Sequence, residues 1–288
     1  MYTITSSSGG AGIAYQLNQN NKNLQRSLQR ISTMKRINSA ADDSAGLAMS
    51  MKLGVQIRRT ESVITSMSNV TSYLQTQDGV MEVADGVLER MAELATLAQD
   101  TTKSTSDLAL YQAEFSNLRT QLQGMQNETF NGASLFVTDS NTQVDNATGG
   151  ALTISMSGQT MSVSRLDLSS VYNQFSSASM SSSVAAYSAA TAITAALSNL
   201  SSLRATNGSE QNRVGFAADL LEINKSNLEA ANSRIVDLDL ASEMVKYSTF
   251  TLLDDANWAL LAQANAKSDK KPVPFGASSV SSRSPVSP

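Results

Sequence analysis

The sequence predicts a mainly α protein: long antiparallel helical rods in a coiled-coil bundle, one small β-hairpin element, and N- and C-terminal helices paired with each other. Three observations carry that reading. Stepping alternately three and four residues from Met67 meets Val70, Leu74, Gln77, Met81, Ala84, Leu88, Met91, Ala95 and Ala98, and nine of these ten positions are apolar over more than four heptads. A second stretch near the other end places Val214, Leu221, Leu228 and Ile235 seven apart. The composition agrees: charged residues are 16%, aromatics 5%, and proline occurs four times in 288 residues. Such a chain suits thin Ala/Leu/Met seams better than a wide aromatic core.

The first rod is expected over 44–99. Val80, Val87 and Leu94 widen its stripe, so more than one partner helix should cover it. At 1.5 Å per residue it would be roughly 80 Å long. Asp78-Gly79 and Asp85-Gly86 would ordinarily signal hairpin turns. They recur seven apart with both glycines opposite the stripe, so the helix is kept at a cost of about 1 kcal/mol per glycine. Met67, Met81 and Met91 read as core, or as flexible side chains that let packed helices slide between two registers.

Before the rod, 10–36 carries a thinner seam of Leu17, Leu24, Leu28 and Ile31, too polar to be stable alone. Asp42 and Asp43 then favour the rod's N-terminus by capping and through the helix dipole. After the rod, 101–105 is a loop and 106–127 a shorter helix with Leu108, Tyr111, Phe115, Leu118, Leu122 and Met125 on one side. Phe130-Asn131-Gly132 is a turn. Leu152, Ile154 and Met156, then Met161 and Val163, alternate with polar residues around Gly158-Gln159, the one convincing β signal. Residues 176–183 are serine-rich and expected to be mobile. The second rod spans 184–236, with Asn207-Gly208 a candidate bend. A final helix over 238–266 carries Val245, Leu252, Ala256 and Leu260 as its seam, and from Lys267 onward the Ser, Pro, Lys and Val composition reads as a disordered tail.

Net charge is −4 with no basic block, which argues against nucleic acid or an acidic membrane surface as a main partner. No window approaches the eighteen apolar residues of a membrane span, and no charged-then-apolar signal peptide opens the chain. Cysteine and histidine are both absent. That removes thiolate chemistry, an imidazole base and His/Cys metal ligation, and no glycine-rich phosphate loop occurs. Neither Asp42/Asp43 nor Asp254/Asp255 lies in a predicted cleft, so no catalytic, cofactor or metal site is assigned.

Leu28-Gln-Arg-Ile-Ser-Thr-Met-Lys-Arg-Ile-Asn-Ser-Ala-Ala-Asp-Asp-Ser-Ala-Gly-Leu-Ala closely resembles the N-terminal signature of bacterial flagellin. Phe130-Asn131-Gly132 looks like that family's turn motif. Gln211-Asn212-Arg213, Asn227 to Ile235, Leu238-Asp239-Leu240-Ala241 and Leu261 to Asn265 are similar to its C-terminal signature. By resemblance this is a short flagellin lacking the variable outer domains. Its parts would be an inner, D0-like N-terminal helix (1–37), D1-like rod helices (38–135), the β-hairpin and Ser-rich segment (136–183), a C-terminal rod (184–237), an inner C-terminal helix (238–266) and the tail (267–288).

The resemblance implies a secreted structural subunit that self-assembles into the helical flagellar filament for motility. Export would run through the flagellar type III apparatus, and the partners would be its own copies, a secretion chaperone, and the junction and cap proteins. Leu88, Arg90, Glu93 and Leu94, with Glu114 as counterpart, resemble the segment read by the animal innate receptor for flagellin, although Glu89, Met91 and Ala92 depart from it. Met34 stands where the family usually has glycine, and Asp254-Asp255 where it tends to have glutamines. A hook–filament junction protein and a secreted coiled-coil adhesin are the rival readings. The polar seams at both ends imply that residues before Ile37 and after Leu238 are disordered in the monomer and order on assembly.

Overall fold

The computed structural model of the protein describes residues 5–137, 151–156 and 159–269. In chain order these form helices α1 (Thr5–Thr33), α2 (Ser44–Leu97) and α3 (Thr105–Met125), then strands β1 (Thr129–Phe130), β2 (Ala133–Ser134), β3 (Ala151–Met156) and β4 (Gln159–Ser164). Helices α4 (Ser169–Phe175), α5 (Ser183–Val236) and α6 (Leu240–Asp269) complete it. Two compact units arise, residues 53–230 and the two chain ends, 1–52 with 231–288; both boundaries fall inside α2 and α5.

In the unit of residues 53–230, all ten positions of the Met67–Ala98 stripe are buried, Gln77 included, and so are Val87 and Leu94. The Asp-Gly pairs lie within α2, as their spacing predicts. Asp78 and Asp85 lie 3.3 and 3.8 Å from the Arg204 guanidinium on α5. Asn207 is buried and its Nδ2 donates to the Leu74 carbonyl at 3.0 Å. It does not interrupt α5. With Lys225 Nζ 3.2 Å from Glu61, these pairs rise in number along α2 as they fall along α5, so the two helices run antiparallel. Val214 is fully buried, and Leu221 and Leu228 are half-buried. The α5 seam also reaches further back, through Leu200, Ile193 and Ala186.

Ser104 and Asp107 form a reciprocal capping box that starts α3, which buries Phe115 and Leu122. Asn131 and Gly132, at φ of 50° and 81°, make the two-residue turn between β1 and β2, where both central residues must adopt positive φ. The turn was foreseen; the strand pair it closes was not, because two-residue strands leave no alternation to read. This hairpin is fastened to α2. The Tyr73 hydroxyl lies 2.9 Å from the Ser134 carbonyl, Gln77 Nε2 donates to the Leu135 carbonyl at 2.6 Å, and Phe130 packs edge-on to the Tyr73 ring.

Strands β3 and β4 pair antiparallel, with Leu152 opposite Val163 and Ile154 opposite Met161, the expected hairpin. Met161 and Val163 are buried and the residues beside them exposed. Its turn, residues 157–158, lies outside the described residues, as do 138–150. One expectation needs correction, the mobility of the serine-rich segment. Just before that segment lies the short helix α4, for which the sequence reading has no counterpart and which buries Val171 and Phe175. The segment itself is docked: Met180 is fully buried, its N–H donates to Gln112 Oε1 at 2.6 Å, and Arg119 donates to the Ser176 carbonyl at 2.8 Å. Seven residues give too few turns for a helical period to show, and a serine run is mobile only when nothing accepts its backbone bonds.

In the unit formed by the chain ends, α1 and α6 lie antiparallel, with Asn20 bonded to the Phe250 carbonyl and Ser27 to Glu243. Beyond α1 the chain pairs with the α5–α6 junction through Arg36 N–H to the Val236 carbonyl (2.7 Å) and Leu238 N–H to the Met34 carbonyl (3.2 Å). Ser50 donates to Asn232 at 2.7 Å, and Ile235 is half-buried. The expected tail begins within α6, and 270–288 lie outside the described residues.

Candidate assembly surface

The seam between α1 and α6 is more polar than its sequence suggested. On α1 the buried positions are Leu17, Asn20 and Ser27, with Leu24 and Ile31 half-buried beside them. Leu28, expected in this seam, is 51% exposed. The heptad frame runs through Ser27 instead, where the hydroxyl has a partner on α6. Ser27 Oγ donates to Glu243 Oε1 at 2.5 Å, and Asn20 Nδ2 donates to the Phe250 carbonyl at 2.7 Å. A buried polar group carries little penalty when so paired.

The correction on α6 is larger. Val245, Leu252 and Leu260, the expected seam, are 67%, 70% and 49% exposed. At 100° per residue, Val245 lies about 200° round the helix from Glu243, so burying one exposes the other. The side facing α1 is Glu243, Tyr247, Asp254, Asn257, Leu261 and Ala264, buried or half-buried. Val245 and Leu252 therefore face away from α1, and Met244, Leu253, Trp258 and Leu260, on the flanks of the α1 contact, are exposed as well. Asp255 is exposed beside Trp258, while Asp254 Oδ1 is buried without a hydrogen-bond partner.

Where α1, the α1–α2 linker and α6 meet, charged residues line a cleft of about 380 Å³. Lys246 Nζ lies 3.1 Å from Glu243 Oε2, and Arg30 lies 3.9 Å from Glu243 and 3.8 Å from Asp42. Burial resists ionisation of Glu243. The Ser27 hydroxyl, the Lys246 bond and the charges of Lys246 and Arg30 outweigh that resistance and hold its pKa below the ordinary value. The Ser39 hydroxyl does the same for Asp42, against its burial, aided by the Asn38 and Ser39 N–H groups and by Arg30. Asp43 caps α2, accepting from Gly46 N–H at 2.8 Å. Among the described residues no cluster of His, Cys, Asp or Glu is arranged to hold a metal, and no helix is long and apolar enough to cross a membrane.

A second charged group lies on the other unit. Arg90 contacts Glu93 at 2.8 Å along α2 and Glu114 at 2.8 Å on α3, and all three side chains are about half exposed or more. Donating hydrogen bonds to Glu93 and then to Glu114 raises the Arg90 pKa further. The sequence pattern thus assembles in space for these three, whereas Leu88 and Leu94 are buried in the α2 core.

The bacterial flagellin N-terminal helical region matches residues 13–142, and the flagellin C-terminal helical region matches residues 190–270. Flagellin of Bacillus subtilis is 31% identical over 280 residues, which cover 86% of this chain and 91% of that protein. The chain belongs to the bacterial flagellin family. Flagellin of Halalkalibacterium halodurans is similar at 29% identity, over 84% of this chain and 88% of that one. A solved Vibrio parahaemolyticus structure, proposed to be a flagellar hook-associated protein, shares the fold with TM-score 0.59 and 15% identity over 68% of this chain and all of that chain. In this flagellin-family chain, the N-terminal signature from Leu28 to Ala48 contains the Asp42 turn and the Asp43 cap. Arg213 within Gln211–Arg213 pairs with Glu210 at 2.8 Å and donates to the Ser162 carbonyl, joining β4 to α5. Ser27, Glu243 and Arg30 escaped the sequence reading; the signal was Asn20 and Ser27 standing seven apart inside a leucine frame.

Proposed function

We infer that this chain is the structural subunit of a flagellar filament, a homopolymer of many copies used for motility. The observation that carries the reading is the apolar surface of α6 that α1 leaves uncovered, Val245 and Leu252 opposite α1 with Leu253, Trp258 and Leu260 on its flanks. A helix that turns Glu243 and Asp254 toward its partner while these apolar side chains face water is complete only when another surface covers it. Repeating one heterologous contact without closing a ring generates a helical filament. Membership of the flagellin family supports the same conclusion.

In that filament, residues 1–37 and 238–266 form the inner layer, the rods over 38–135 and 184–237 form the shell around it, and 136–183 faces outward. Export through the flagellar type III apparatus, a secretion chaperone on the C-terminal part, and the junction and cap proteins complete the set of partners. The role is structural rather than catalytic. The exposed Arg90, Glu93 and Glu114 offer an animal innate receptor a charged patch, with Leu88 and Leu94 supporting it from beneath. Sedimentation and electron microscopy of concentrated, purified chain test the filament reading. Long filaments are the expected result; a chain that stays in the supernatant at every concentration overturns it.

A further inference from the structure

Met34 has φ of 55° and is 55% exposed. Left-handed backbone just past a helix end is ordinarily occupied by glycine, because a Cβ is disfavoured there. Here the conformation is fixed from both sides: Arg36 N–H bonds the Val236 carbonyl, and Leu238 N–H bonds the carbonyl of Met34 itself. Those bonds use backbone alone, so glycine would make them without strain. The Met34 side chain adds strain to the subunit and, at more than half exposed, little burial. Strain kept at such a position points to a role outside the isolated chain. The same unit exposes Leu28 six residues earlier on α1, and Leu240 and Met244 one turn apart at the start of α6. Met34 therefore extends the apolar surface assigned above to assembly, at the end of the helix pair where the chain reverses.

We propose that Met34 is a subunit-contact residue whose flexible thioether inserts against an apolar surface of a neighbouring copy of this chain. The inference rests on the filament reading and deepens it. A long, unbranched side chain suits a contact that must tolerate small shifts between copies. The test compares wild type with Met34→Gly and Met34→Asn, both of which accept left-handed backbone while lacking the thioether. Thermal melting of the depolymerised chain and the critical concentration for seeded assembly are measured for each. Both variants are expected to melt at or above the wild-type temperature and yet to need about three- to tenfold more protein to assemble. Should Met34→Gly melt lower through added flexibility, Met34→Asn decides. Assembly of the deciding variant at the wild-type concentration or below overturns the proposal. Wild type that never assembles overturns instead the filament reading beneath it.

Discussion

A Cβ on Gly46 would come within 2.5 Å of Asp43 Oδ2 and 2.7 Å of Ile37 Cδ1. The side chain that caps α2 and the buried Ile37 close over this glycine, so its value is close approach. Gly46→Ala should push Asp43 off the cap and cost about 1–3 kcal/mol, seen as a lower melting temperature by circular dichroism. Arg90 illustrates the opposite case. Its pairs with Glu93 and Glu114 are exposed, and exposed pairs contribute little to stability. Arg90→Ala should therefore leave melting unchanged. In a receptor-reporter assay on depolymerised protein it should lower the response, and an unchanged response would remove Arg90 from the receptor patch. At this scale the sequence showed which residues carry charge or grease but not which of two adjacent positions turns inward. Leu28 and Ser27 differ by one step round the helix, and the choice was made by Glu243, more than two hundred residues away.

The rods were the most legible elements, because a heptad seam declares both its length and its buried side. On α5, Ala186, Ile193, Leu200, Asn207 and Val214 continue backward the same frame as Leu221, Leu228 and Ile235. Its earlier half was overlooked because Ala186 and Asn207 interrupt a search for large apolar residues. On α2, Gly79 and Gly86 have open space where a Cβ would go. Gly79→Ala and Gly86→Ala should each stabilise the helix by about 1 kcal/mol, raising the thermal midpoint of the depolymerised chain. The α6 seam was illegible for a physical reason: the apolar stripe that periodicity detects is left exposed, while the α1 contact is built on polar pairs. One of them, Ser27 with Glu243, titrates. The Glu243 pKa is depressed in the folded chain, so its contribution is present above its ordinary value of about 4.5 and is lost as pH falls through the lower folded value. Acid should loosen α1 from α6 in the assembled chain, where the pair is protected, read by hydrogen exchange of their amides between pH 6 and 3. Glu243→Gln should weaken the pair at pH 6 and flatten its acid dependence, leaving the part due to Asp42.

For the whole molecule, the two units differ in how complete they are. The unit of residues 53–230 buries a continuous core running through α2, α3, β4, α4 and α5. The chain ends bury little beyond Leu17, Ile37 and Val236, and hold together through Asn20, Ser27 and Glu243. Their apolar surface faces out, and the filament reading proposed above assigns its covering to neighbouring copies. Hydrogen–deuterium exchange on depolymerised chain and filament, read at the amides of α1 and α6, tests this most directly. The account predicts rapid exchange at both helices in the lone chain and a large gain in protection on assembly, with the α2 and α5 amides between residues 53 and 230 protected in both states. Strong protection of α1 and α6 in the lone chain, unchanged in the filament, would contradict it.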